Sequence, residues 1–98
     1  MAGIEFDAGV MDDIQRIIDH LDAYEVSASK ARSSQIFSAI QVLADNPLIG
    51  RPVGDGKNEL MIGRDASGYV ALYRYLPMID IVLVLGILAQ REAGYARP

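Results

Sequence analysis

The chain has 98 residues, 51% of them hydrophobic, with a net charge of −4 from 13 acidic and 9 basic side chains. That is enough apolar material for one domain spanning 1–98 with its own core, and too acidic a balance for general nucleic-acid binding, which depends on neutralising phosphates. The absence of cysteine excludes disulfides and thiolate chemistry, and a single histidine argues against a structural zinc site, which takes about four nitrogen or sulfur ligands. No metal or cofactor is expected.

Ile4-Glu-Phe-Asp7 alternates apolar and polar residues and reads as a short strand at a sheet edge. Asp7 is placed to cap a helix from Ala8 to about Tyr24, in which Val10, Ile14, Ile17, Ile18 and Leu21 recur at helical spacing. Asp12, Asp13, Asp19, Asp22 and Glu25 read as its solvated face. His20 belongs with them: a metal site wants several converging ligands. A second helix, capped by Ser27 or Ser29, runs to about Asp45 with Ile36, Phe37, Ile40, Leu43 and Ala44 on one side. Asn46-Pro47 ends it, since proline lacks an N–H and disfavours helix in the preceding residue. The two helices form an antiparallel hairpin.

Pro47 to Lys57 reads as a loop rich in glycine and proline. Three consecutive strands follow: Asn58 to Arg64, Gly68 to Leu76 and Ile79 to Arg91, linked by Asp65-Ala-Ser-Gly68 and by Pro77-Met78. The longest apolar run, Ile81 to Ala89, is nine residues, too short for a membrane-spanning helix of about 20. With no basic-then-apolar leader pattern at the start, a cytoplasmic protein is expected. The fold class is α+β, in the order β-α-α-β-β-β: a small, mainly antiparallel sheet with the helix hairpin on one face.

In the middle strand Val70, Leu72, Arg74 and Leu76 share one face, and Tyr69, Ala71, Tyr73 and Tyr75 the other. The last strand is apolar on both. Two helices cover only one face, so the other serves a partner or stays partly open. The tyrosines, with an apolar body and polar tip, suit an interface, and Tyr69, Tyr73 and Tyr75 are taken as partner-binding. Arg74, inside a strand, needs a partner: Glu59 or Asp80. Arg51, in the loop, can touch a target or bond the carbonyls at the helix end. Arg64 and Arg91, at strand ends, are the best candidates for a functional patch. Ser33-Ser34 have no histidine at catalytic spacing, and Gly54 and Gly56 do not make a phosphate loop, which follows a strand and opens a helix.

Several ordered motifs resemble the RelE/ParE superfamily of toxins from bacterial toxin–antitoxin systems. Leu43-Ala-Asp-Asn-Pro47 with Gly50-Arg51-Pro52 is similar to the family's helix end and P-x-x-G-R loop. Glu59-Leu60 followed by Gly68-Tyr69-Val-Ala-Leu-Tyr73-Arg74 is similar to its E-L and G-Y-x-x-x-Y-R hairpin, and Asp80-Ile-Val-Leu-Val-Leu with Gln90-Arg91-Glu92 to its closing strand. The resemblance covers nearly the whole chain. It implies a toxin that either cuts ribosome-bound mRNA, as RelE-like members do, or poisons DNA gyrase, as the ParE-like members often described as plasmid stabilisation proteins do. It also implies a cognate antitoxin, and leaves a homodimer or a toxin–antitoxin hetero-oligomer open.

Cutting RNA through its 2′-OH needs a base, an acid and cations around the phosphate, which the RelE-like nucleases supply from lysines, arginines and a late tyrosine. This chain has Val70 where an arginine is typical, and Leu60-Met61-Ile62-Gly63 in the strand that is typically lysine-rich. Arg64, Arg91 and Tyr95 are the remaining catalytic candidates, with Tyr95 closer to Arg91 than the family spacing. The expectation is therefore a ParE-like gyrase inhibitor and not an enzyme. The alternatives are a ribosome-dependent mRNA interferase, and an inactive homologue that retains only antitoxin binding.

Overall fold

The computed structural model describes residues 1–24, 26–63 and 68–90; the side chains of residues 20–24, 26–30 and 32 lie outside the description. The elements are β1 (Gly3–Phe6), α1 (Val10–Tyr24), α2 (Val26–Asp45), β2 (Arg51–Gly54), β3 (Lys57–Ile62), β4 (Tyr69–Leu76) and β5 (Ile81–Ala89). The α+β class and the helix hairpin on one sheet face are as the patterning predicts. The sheet order is β1-β5-β4-β3-β2. β2 to β5 pair antiparallel, and the edge strand β1 lies parallel to β5 from Gly3↔Ile81 to Phe6↔Val84. First and last strands are thus neighbours.

The helices start differently from the sequence reading. α1 opens at Val10, whose N–H donates to the backbone carbonyl of Asp7 at 3.0 Å. The backbone of α2 is helical over Val26–Asp45, so Ser27 and Ser29 lie within the helix and not ahead of it. At the far end Asn46 closes the helix twice, its N–H and its side-chain Nδ2 both donating to the Val42 carbonyl, at 3.0 and 3.2 Å.

The largest addition to the predicted architecture is β2. Glycine and proline mark Arg51–Gly54 as a loop, but an edge strand tolerates both. β2 pairs with β3 at Arg51↔Glu59, and a register irregularity between Pro52 and Gly54 absorbs the mismatch. The β2–β3 turn places Gly54, Asp55 and Gly56 at φ of 97°, 54° and 73°. Glycine takes that left-handed region at no steric cost, and aspartate tolerates it better than most residues.

Val10, Ile14 and Ile17 of α1 meet Ile36, Ile40 and Leu43 of α2 over Ile62, Tyr69, Ala71, Tyr73, Val82, Val84 and Ile87 of the sheet. The helices therefore cover the tyrosine face of β4, reversing the expectation that Tyr69, Tyr73 and Tyr75 await a partner. Tyr73 is 0% exposed, Tyr69 is 8% exposed, and Tyr75 packs partly against the same core. Phe37, expected in the helix stripe, is 37% exposed.

In β5 the alternation slips. Leu72 pairs with Gly86 while Tyr73 pairs with Val84, leaving Leu85 as an extra residue. A bulge of this kind changes the face parity of every residue beyond it, so Ile87 joins Val82 and Val84 in the core instead of lying opposite them. Asp13 of α1 reaches this point: its Oδ2 accepts the Ile87 N–H at 3.1 Å. Asp13 is therefore not part of a purely solvated helix face. The β4–β5 link is also longer than a Pro77-Met78 turn. It runs through Asp80, at φ 53°, and Asp80 Oδ1 accepts the Tyr75 hydroxyl at 2.7 Å.

Gly50 sits against Tyr73. Its N–H donates to Tyr73 Oη at 2.8 Å, and a Cβ added there would lie 2.6 Å from that oxygen and 2.8 Å from the Glu59 carbonyl. Gly50→Ala is expected to cost about 1–3 kcal/mol through overpacking, read from the midpoint of urea unfolding. Tyr73→Phe strands the buried Gly50 N–H and is expected to cost about 1–3 kcal/mol. Burial raises the Tyr73 phenol above its ordinary value of 10.0, with the Gly50 N–H pulling the other way. A raised folded-state pKa gives stability that is complete below about pH 10 and lost as pH climbs through the folded value. Stability measured against pH should fall less steeply on the alkaline side for Tyr73→Phe than for the parent chain.

Candidate functional site

The predicted site residues that the structure describes fall into separate places. Arg51 stands on β2 with its side chain 63% exposed, and its Nη2 bonds Glu59 Oε1 at 3.1 Å across the β2–β3 pair. This contact ties β2 to β3. An exposed pair of this kind contributes about 0–1 kcal/mol.

Arg64, Arg91 and Tyr95 lie outside the described residues, and no geometry is assigned to them. The corner from which Arg64 and Arg91 continue in sequence is well defined. Gln90, only 3% exposed, donates from Nε2 to the carbonyls of Gly63 and Tyr69, both at 3.3 Å, and to that of Ile62 at 3.5 Å. Its backbone N–H meets the Gly68 carbonyl at 3.0 Å. One buried amide therefore ties the end of β3 and the start of β4 to the end of β5. Sequence reasoning noticed Gln90 only as a neighbour of Arg91. A glutamine closing an apolar strand was the available signal, because a buried amide must find several partners.

The sheet face turned away from the helices carries the rest. Pairing sets its rows: Met61, Val70 and Leu88 across β3, β4 and β5 in one, Lys57, Arg74 and Leu83 in another. Glu5 of β1 extends the second row beyond Leu83. Val70 is 1% exposed between Met61 and Leu88. The row that includes the position where a nuclease of the resembled family carries an arginine is thus wholly aliphatic, and a charge placed at Val70 would be desolvated at high cost.

Arg74 is not paired as expected. Glu59 is taken by Arg51, and Asp80 by the Tyr75 hydroxyl. Arg74 turns instead toward the β2–β3 turn, where its Nη2 donates to the Asp55 backbone carbonyl at 2.8 Å. The Asp80 contact raises the Tyr75 phenol, with desolvation adding to it. His20 falls on α1, and its side chain lies outside the description. Among the described residues no three His, Cys, Asp or Glu side chains converge as a metal site would need, and no helix is long and apolar enough to cross a membrane.

Comparison with known proteins identifies the family. The sequence pattern described as "ParE toxin of type II toxin-antitoxin system, parDE" matches residues 4–94. Among solved structures the chain is similar to the chromosomal ParDE toxin–antitoxin system of P. aeruginosa, with a TM-score of 0.76 and 19% identity over 91% of this chain and 96% of that one. It is similar to a mutant E. coli toxin RelE in the free state, at a TM-score of 0.70 and 14% identity over 97% of this chain and 90% of that one. The intact E. coli RelBE toxin–antitoxin complex follows at 0.64 and 13% identity, over 91% and 96%. At such identities these likenesses concern the fold. A comparison with curated proteins finds no match. The family pattern covers nearly the whole chain, and with the helix hairpin packed on a five-stranded sheet it leads to one conclusion: the chain belongs to the ParE toxin family of type II toxin–antitoxin systems.

Proposed function

We propose that this chain arrests growth in the cytoplasm by acting on DNA gyrase, as a plasmid-stabilising toxin does, and that a cognate antitoxin neutralises it. The single observation that favours a protein target over RNA cleavage is the aliphatic row Met61–Val70–Leu88 on the helix-free face. Phosphodiester cleavage by general acid–base chemistry needs charged groups converging on one phosphate, and this row offers none. The net charge of −4 weighs the same way, since it repels a polyanion. Binding a protein needs only shape, apolar area and a few placed polar groups. Arg51, Arg64 and Arg91 are the cations proposed for target contact.

Controlled expression of the chain in bacteria is expected to stop growth, and co-expression of the small gene beside its own to restore it. The purified toxin is expected to inhibit supercoiling by gyrase while leaving ribosome-bound message intact. Message cleavage that disappears in Arg91→Ala, with gyrase unaffected, would replace this reading with an mRNA interferase. Normal growth alongside tight binding of the neighbouring gene product would make the chain an inactive homologue.

Arg51→Ala separates contact from folding. Loss of its exposed ion pair should cost less than about 1 kcal/mol. The expected result is a melting curve close to that of the parent chain, with weaker gyrase inhibition at equal concentration. An unchanged inhibition constant would remove Arg51 from the contact surface.

A further inference from the structure

Lys57 and Arg74 are directly opposite in the β3–β4 register and share the helix-free face, because Asn58↔Tyr73, the adjacent pair, belongs to the helix side. Cβ atoms so placed lie about 4.5–5.5 Å apart, and like charges in that position are destabilising. Folds usually relieve such a pair with an intervening carboxylate. Here none does so: among the described residues neither Lys57 nor Arg74 forms an ion pair. Glu59 is bound to Arg51, Asp80 to Tyr75, and Glu5 stands at the far end of the row, beyond Leu83. The one bond of Arg74, to the Asp55 carbonyl, holds the guanidinium over the β2–β3 turn without neutralising it. Both side chains are half-buried, so water screens their repulsion less than it would on an open surface.

The neighbours of the pair specify a ligand. Leu72, Leu76 and Leu83 share its face, half-buried. Two cations that form no ion pair among the described residues, beside an apolar strip, are complementary to a segment that carries carboxylates along one edge of a hydrophobic stripe. They are a poor match for nucleic acid, which would need many more cations than two and a less acidic protein.

We infer that the Lys57–Arg74 pair, with Leu72, Leu76 and Leu83, is a docking site for an acidic amphipathic segment of a partner protein. Its carboxylates supply the counter-charge that no described residue pairs with these cations. The inference deepens the antitoxin reading and rests on it for the natural occupant, while the chemistry of the site is testable apart from it. The unbound toxin carries the repulsion and the complex removes it, so part of the binding energy is relief of a strain built into β3 and β4.

The test uses the full chain and two synthetic 20-residue helical peptides of leucine and alanine, one with glutamates and the other with glutamines along its polar edge. Titration followed by fluorescence anisotropy is expected to give at least tenfold tighter binding of the glutamate peptide, with the difference shrinking as salt rises. Lys57→Glu provides the second reading. It places an acid opposite Arg74, so its melting temperature should equal or exceed that of the parent chain, while the preference for the glutamate peptide disappears. Equal binding of the two peptides, or an undiminished preference in Lys57→Glu, would overturn the inference, and so would a single-stranded RNA oligonucleotide that outcompetes the glutamate peptide. The growth and gyrase assays can fail while these peptide results hold, and the reverse, so the two readings stand or fall separately.

Discussion

The burial of Tyr73 is the constraint from which the rest of the molecule follows. It sits at the middle of the central strand, fully covered by the helix pair, and its hydroxyl meets the N–H of Gly50. A phenol in an apolar core needs a partner at its tip, and the chain provides one by bringing the segment after α2 back across the sheet. That return lays Arg51–Gly54 beside β3 as an edge strand and sets Arg51 opposite Glu59. Replacing Gly50 with any residue that has a Cβ would push the segment off the tyrosine. One buried hydroxyl therefore connects the choice of sheet face, the extra strand and the position of an exposed arginine.

A second, smaller device acts on β5. The bulge at Leu85 rotates the strand so that Ile87 faces the core, and Asp13 accepts the Ile87 N–H. β1 pairs only with the first half of β5, from Ile81 to Val84, so a carboxylate from α1 satisfies a backbone group that β1 does not reach. Pairing partners left open along a strand invite association with another chain. Here a helix side chain closes one of them.

Much of this was legible in the residues. Helical spacing located both helices within two or three residues, Asn46-Pro47 ended the second, and period-2 reading divided β4 correctly into two sets. Which set faces the helices was not legible. Val70, Leu72 and Leu76 are as apolar as Tyr69, Ala71 and Tyr73, and tyrosine suits a core or an interface equally. The decision rested on a long-range contact with Gly50, 23 residues earlier. β2 was hidden because glycine and proline signal a loop and are also tolerated at an edge. The bulge was hidden because strict alternation assumes that no residue is extra. The partner of Arg74 was hidden because backbone carbonyls carry no mark in a sequence, so reasoning by charge alone selected Glu59 and Asp80, both of which are otherwise engaged.

The helix-free face is where fold and function separate. This chain shares its architecture with a ParDE system and with RelE at 19% and 14% identity, so the scaffold cannot by itself decide between a protein target and an RNA one. The side chains on that face are what the proposed reading rests on. The described side chains of the Val70 row are aliphatic and offer no cation to a phosphate. Cations persist one row beyond the Glu59–Leu72 pair, at Lys57 and Arg74, beside leucines instead of other cations. Among the described residues, a cationic pair in an apolar setting is too sparse to follow a nucleic-acid backbone. It suits the proposed recognition of a peptide by where its carboxylates fall. The proposed protein target therefore asks for no departure from the shared fold, only for a different distribution of charge over one face of its sheet.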